Sequence, residues 1–181
     1  MKAHYREVDY RVDWVRDLFS SLNHGFSSIQ EKLSTIDYFD GLFAKEQAES
    51  IFGIAFVTAQ TYITGTISDI SEISGENVLS KSKMLSIGSP EISNGITKVL
   101  LINTIANYYK HHEEWSGWEV NRLNRKTIET LNSCGINEGC EFPCHEAAQI
   151  IWPNEVLCEL NYLLNILVEW RENLMHRVKN T

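Results

Sequence analysis

Ten apolar residues near the start of the sequence, Tyr5, Val8, Val12, Val15, Phe19, Leu22, Phe26, Ile29, Leu33 and Ile36, follow one another at alternating steps of three and four. Only a helix brings such positions into one line, and the alternation is close to a heptad seam. Asn23-His24-Gly25 interrupts the composition but not the phase. A glycine costs about 1 kcal/mol inside a helix, so the segment reads as one long helix with a place for a kink. A helix this long with one apolar side needs helical partners, and the rest of the sequence supplies them.

Asp40-Gly41 opens the next element, which is apolar over much of its circumference between Ile51 and Tyr62. Its second half is rich in Thr and Ile and could pass for a strand. The spacing Ile63, Ile67, Ile70, Ile73 decides for a helix. Residues 74–95 are polar and punctuated by Gly and Pro, which predicts a loop with at most a short helical turn. Helices are expected over residues 96–114 and 120–132, the second stopped near Gly135, and residues 134–153 read as irregular. Pro153 suits the first turn of a last helix, in which Val156, Leu160, Leu164, Leu167, Leu174 and Val178 stay in phase. The expected fold is an all-α bundle of about four to six helices, two of them long, forming a single domain over residues 1–181.

An apolar fraction of 43% with five tryptophans is enough for a packed core. The net charge of -8 disfavours indiscriminate nucleic-acid binding, which needs many cations against phosphates. The C-terminal stretch is locally basic, however, with Arg171, Arg177 and Lys179 against Glu172. No wholly apolar run reaches the roughly 18 residues expected of a bilayer span. The charged segment MKAHYREVDYRVDWVRD does not fit a secretory signal. A cytoplasmic protein without membrane attachment and with reduced cysteines is therefore expected. Cys134, Cys140, Cys144 and His145 form C-x5-C-x3-C-H, which lacks the close pairs of structural zinc sites. Neither a metal nor a cofactor is expected.

Two sets of residues carry candidate chemistry. On the last helix the apolar seam steps from Leu167 to position 171 and on to Leu174, so Arg171 stands where the pattern asks for an apolar side chain. Its guanidinium must reach solvent, pair with an acid such as Glu169 or Glu172, or face a cleft or a subunit boundary. His176 lies about 140° round the helix from it, on the ridge of Asn165, Glu169 and Glu172. In one straight helix the two would not converge; a kink or a second copy is needed. The second set is a polar stripe, Asn103, Asn107, Lys110, His111 and Glu114, opposite Ile102, Ile105, Ala106 and Tyr109. It is either a solvated face or the lining of the cleft that holds Arg171 and His176.

Arg171, four intervening residues and His176, in an all-helical setting, resemble the signature of HEPN domains, small helical bundles of bacterial toxins, antiphage systems and RNA-processing nucleases. The position almost at the C-terminus and the Glu172 after the arginine depart from the usual pattern. The resemblance implies a homodimer whose paired motifs form a metal-independent ribonuclease site, acting with an antitoxin or another defence-complex protein. Arg171 and His176 would then be catalytic, with Asn107, Lys110 and His111 binding the RNA substrate. His176 would move protons, Arg171 would stabilise phosphate charge, and the 2′-hydroxyl of RNA would be the nucleophile. The other expectation is a non-catalytic helical adaptor, which the seamed helices and acidic surface suit equally.

Overall fold

The computed structural model describes residues 8–75, 79–115, 117–152 and 159–179. Helix α1 spans Val12–Thr35 and runs through Gly25 without a break. Val15, Phe19, Phe26 and Ile29 are buried along the predicted stripe, whereas Leu33 is exposed. The stripe overshoots at its start: Val8 is exposed and lies before the helix, and Tyr5 lies outside the described residues. The helix starts late because Asp9 and Arg11 are engaged with other elements, as described below.

Helix α2, Gly41–Ser74, has 34 residues and is about 50 Å long. Its first turn is capped by Asp40, whose Oδ1 accepts from the backbone N–H groups of Leu42 (2.9 Å) and Phe43 (3.1 Å). Phe52, Ala55, Phe56, Ala59, Tyr62, Ile63 and Ile70 are buried on it, so α2 is the central strut of the core. By length and composition it could cross a membrane. Much of its most apolar stretch is buried inside the bundle instead.

Residues 79–97 are more ordered than a loop. Helix α3 is one turn, Lys81–Leu85, capped by Ser80. Strands β1, Glu91–Ser93, and β2, Ile96–Thr97, form an antiparallel ribbon. Asn94 and Gly95 join them with φ of 45° and 79°, and positive values at both central residues make the tight hairpin turn that suits twisted strands. Trp170 Nε1 donates to the Met84 carbonyl (3.0 Å) and Asn173 Nδ2 to that of Gly88 (2.9 Å), which pins this segment to the last helix.

Helix α4, Lys98–His111, ends in a 3-10 turn over His112–Glu114. It starts two residues later than predicted because Ile96 and Thr97 belong to β2, and Thr97 Oγ1 caps it by accepting from Leu100 N–H (3.1 Å). Helix α5, Arg125–Ser133, also starts late. Asn121 Oδ1 accepts from Leu123 and Asn124 N–H, and Asn124 Oδ1 accepts from Asn121 N–H, so reciprocal side-chain bonds hold residues 121–124 as a turn. The stretch read as irregular contains helix α6, Pro143–Ile151. Helix α7, Asn161–Lys179, closes the bundle. Pro153 and Val156, which set the expected start of that helix, lie outside the described residues.

Around α2 pack α1, α4, α6 and α7, with α5 against α4. The fold is all-α: six helices of two turns or more, the single-turn α3 and a two-stranded ribbon among the described residues. Gly53 sets one critical distance. A Cβ there would sit 2.1 Å from the Tyr109 ring, so only glycine lets the end of α4 lie so close on α2.

Candidate functional site

Arg171 is buried, as its place in the seam requires, with 6% of its surface exposed. Its Nε lies 3.8 Å from the Asp9 carboxylate. That acid comes from the segment before α1, not from Glu169 or Glu172, which are both exposed. The Tyr62 hydroxyl from α2 donates to the same Asp9 carboxylate. Burial and that bond push the Tyr62 phenol far above its ordinary pKa, so it stays a donor. Next along the chain, Arg11 pairs with the buried Asp69 of α2. Burial opposes the charge on Arg11, but Asp69, with Tyr10 and Asp9, outweighs it and raises the pKa. Residues 9–11 thus form a strap held across α2 and α7 by two ion pairs and a phenol.

His176 has a different setting. It is exposed on α7, on the ridge with Asn165, Glu169 and Glu172, while Arg171 faces inward. The pocket beside Arg171, about 600 Å³, is lined by Asp9, Arg16, Asn161, Asn165 and Glu172 among others, and His176 is absent from its walls. Within one chain the two motif residues serve different faces.

The polar stripe of α4 has a different setting. Asn107, His111, Glu114 and Trp115 line a pocket of about 470 Å³ that Asn121 and Thr127 close from the α5 side. His111 Nδ1 lies 3.3 Å from Glu114 Oε2, which leaves Nε2 as the ring's outward nitrogen. A second pocket of about 470 Å³ adjoins it through Asn107 and Thr127 and extends to Lys81, Asn103, Lys126 and Glu129. The two make one groove along α4, walled by α5 and α3. Lys110 is exposed but lines neither pocket. Arg171 lines neither as well, so the expectation of one cleft holding both sets fails. The two sets lie on different pairs of helices.

Charge also distinguishes this region. Residues 79–130 carry seven Lys and Arg against five Asp and Glu, a net +2. In a chain of net -8 the remainder therefore carries -10. Arg122, Arg125 and Lys126 are all exposed, and Lys126 reaches the groove. Trp115 and Trp118 are half-buried. Both pack on Tyr108, at 5.7 Å and 5.5 Å between ring centres, and Trp118 Nε1 donates to Asn132 (3.0 Å). The cationic, partly aromatic end of the molecule is the α4–α5 end.

One residue behind the groove escaped the sequence reading in its role. Gln60, in the middle of α2's apolar run, is buried, and its Nε2 lies 3.1 Å from the Asn103 carbonyl, 3.1 Å from Asn103 Oδ1 and 2.8 Å from Asn107 Oδ1. A lone amide amid GIAFVTAQTYI was the available signal. Among the described residues no group of three or more His, Cys, Asp or Glu side chains is placed to hold a metal ion. Cys134 and Cys140 are half-buried and Cys144 is buried, and burial raises the pKa of all three thiols. None has the lowered pKa of a nucleophilic cysteine. No protein-family model matches the chain, and no curated protein or solved structure matches it either.

Proposed function

We propose that the protein is a metal-independent ribonuclease that works at the α4–α5 groove, with His111 rather than the Arg171/His176 pair as the proton-transfer group. The observation that carries this reading is the His111–Glu114 pair at the mouth of a pocket that also offers amides and an indole. A carboxylate beside Nδ1 orients the imidazole, as a general base needs. Nε2 would take the proton of a ribose 2′-hydroxyl as that oxygen attacks the adjacent phosphorus. The phosphorus–O5′ bond then breaks, and the departing oxygen takes a proton from the imidazolium or from water. The products are a 2′,3′-cyclic phosphate and a 5′-hydroxyl. Trp115 offers a face for a base, and Asn107 and Asn121 offer amides for base edges or phosphate, which suits a single strand more than a duplex. Lys110 and Lys126 supply charge for the backbone. Arg171, sequestered against Asp9, is assigned to holding the strap rather than to chemistry.

The test is cleavage of single-stranded RNA by the purified protein, with the ends of the products identified. His111→Ala should lose about 10²–10⁴-fold in rate, as removal of a general base does. His176→Ala should cleave like the wild type. Equal cleavage by wild type and His111→Ala would overturn the assignment of this site.

A second reading, a non-catalytic adaptor in a regulatory or defence complex, is favoured by one feature of α1. Trp14 and Leu18 are exposed one turn apart, a short apolar patch facing solvent. That reading expects no RNA cleavage and a defined partner released by Trp14→Ser with Leu18→Ser.

A further inference from the structure

The second half of the groove has a polarity that can be deduced atom by atom. Gln60 Nε2 lies 3.1 Å from the Asn103 backbone carbonyl, which can only accept a hydrogen bond. The Gln60 atom there must therefore be the NH2 group. The two asparagine side-chain atoms facing that NH2, at 3.1 Å and 2.8 Å, must then be their oxygens. With both oxygens turned inward to Gln60, the NH2 groups of Asn103 and Asn107 are what these side chains have left to offer. Both residues line the pocket that also contains Lys81 and Lys126. Asn103 is 7% exposed, so its donor is held in place by packing rather than left to wander. Only Glu129 brings negative charge to the walls.

We infer that this pocket between α3, α4 and α5 is a subsite for a phosphate monoanion or dianion, bound by the amides of Asn103 and Asn107 and the ammonium groups of Lys81 and Lys126. Gln60 is its positioning residue: it touches no ligand but fixes which end of each asparagine faces outward. Two fixed donors beside two cations satisfy a phosphate's oxygens, whereas a metal cation would find too few acceptors. The inference deepens the ribonuclease reading in one respect, since the pocket adjoins that of His111 through Asn107 and would hold the phosphate neighbouring the scissile one.

The experiment is titration of the full chain with inorganic phosphate and with a nucleoside 3′-monophosphate, followed through the side-chain NH2 signals of Asn103 and Asn107 by NMR. Saturable shifts of these signals are expected. Gln60→Glu, close to isosteric, should reverse both asparagines so that their oxygens face the pocket, and should weaken binding by at least about tenfold, as loss of one charge-assisted hydrogen bond does. Lys126→Ala should weaken it similarly while leaving the asparagine orientation intact. Absence of saturable shifts, or equal affinity in wild type and Gln60→Glu, overturns the subsite. Phosphate binding without RNA cleavage would keep the subsite and remove the ribonuclease reading; His111-dependent cleavage without phosphate binding would do the opposite.

Discussion

Glu49 on α2 holds a helix that the sequence alone conceals. Its Oε1 accepts from Cys144 N–H (2.7 Å) and its Oε2 from His145 N–H (2.9 Å), two of the backbone donors that the first turn of α6 leaves unpaired. Replacing it by alanine removes two hydrogen bonds to a charged group, each worth about 1.5–3 kcal/mol. It also removes an anion at a helix N-terminus, worth about 0.3–1 kcal/mol. Neighbouring effects are not additive, and Glu49 is only half-buried, so water takes over part of the pairing. A loss of about 3–4 kcal/mol follows for Glu49→Ala from those terms. Glu49→Gln keeps one accepting oxygen and turns an NH2 toward the other backbone N–H, for a loss of about 1–2 kcal/mol. In a domain of this size each kcal/mol moves Tm by about 2–4 °C. The alanine variant should therefore melt about 6–16 °C below wild type, with glutamine between them. Urea unfolding followed by circular dichroism measures both. An alanine variant within about 0.5 kcal/mol of wild type, or a glutamine variant as unstable as alanine, would refute the reasoning.

Other perturbations test other contacts. Gly53→Ala drives a methyl into the Tyr109 ring and should cost about 1–3 kcal/mol, measured by urea unfolding, with partial recovery on adding Tyr109→Ala. His145 is held below its ordinary pKa of 6.5, first by burial and further by Lys45, against the pull of Glu146 and Glu49. A lowered pKa in the folded state contributes stability that is present above 6.5 and is lost as pH falls through the folded value. Thermal melts should show this loss, and His145→Gln should flatten that part of the profile. The Tyr108 phenol, pushed up to about 12 by burial, should ionise only well above free tyrosine, and folded stability should decline as pH rises from 10 through that value. Phenolate absorbance follows it. In a Cys158→Ser background, a thiol reagent should modify Cys134 and Cys140 in the native state and Cys144 only after unfolding, because Cys144 is buried and its thiolate strongly disfavoured.

Periodic signals were the legible part of this molecule. The isoleucine spacing in α2 and the Asp40 cap place the central helix almost to the residue, because both are local consequences of helical geometry. The anomaly at Arg171 was also legible as a guanidinium in a buried seam. Its partner was not, since Asp9 is far away in sequence. Helix α6 was missed for a related reason. Cysteine, glycine and proline obscure its pattern, and the carboxylate that caps it comes from α2. The hairpin falls where a loop was expected, because its flanking strands of three and two residues are too short to show alternation. Within the groove, the α4 stripe was visible, whereas Gln60 acts across helices and appears in sequence only as one amide among apolar neighbours.

The clasp between Asp9 and Arg171 has a consequence for how the molecule comes into being. Its halves lie near opposite ends of the described sequence, so on a ribosome the strap cannot lock until the final helix has emerged. Closure of the bundle thereby becomes a late event in synthesis, and variants that shorten the last helix should leave the beginning of the chain open to proteases.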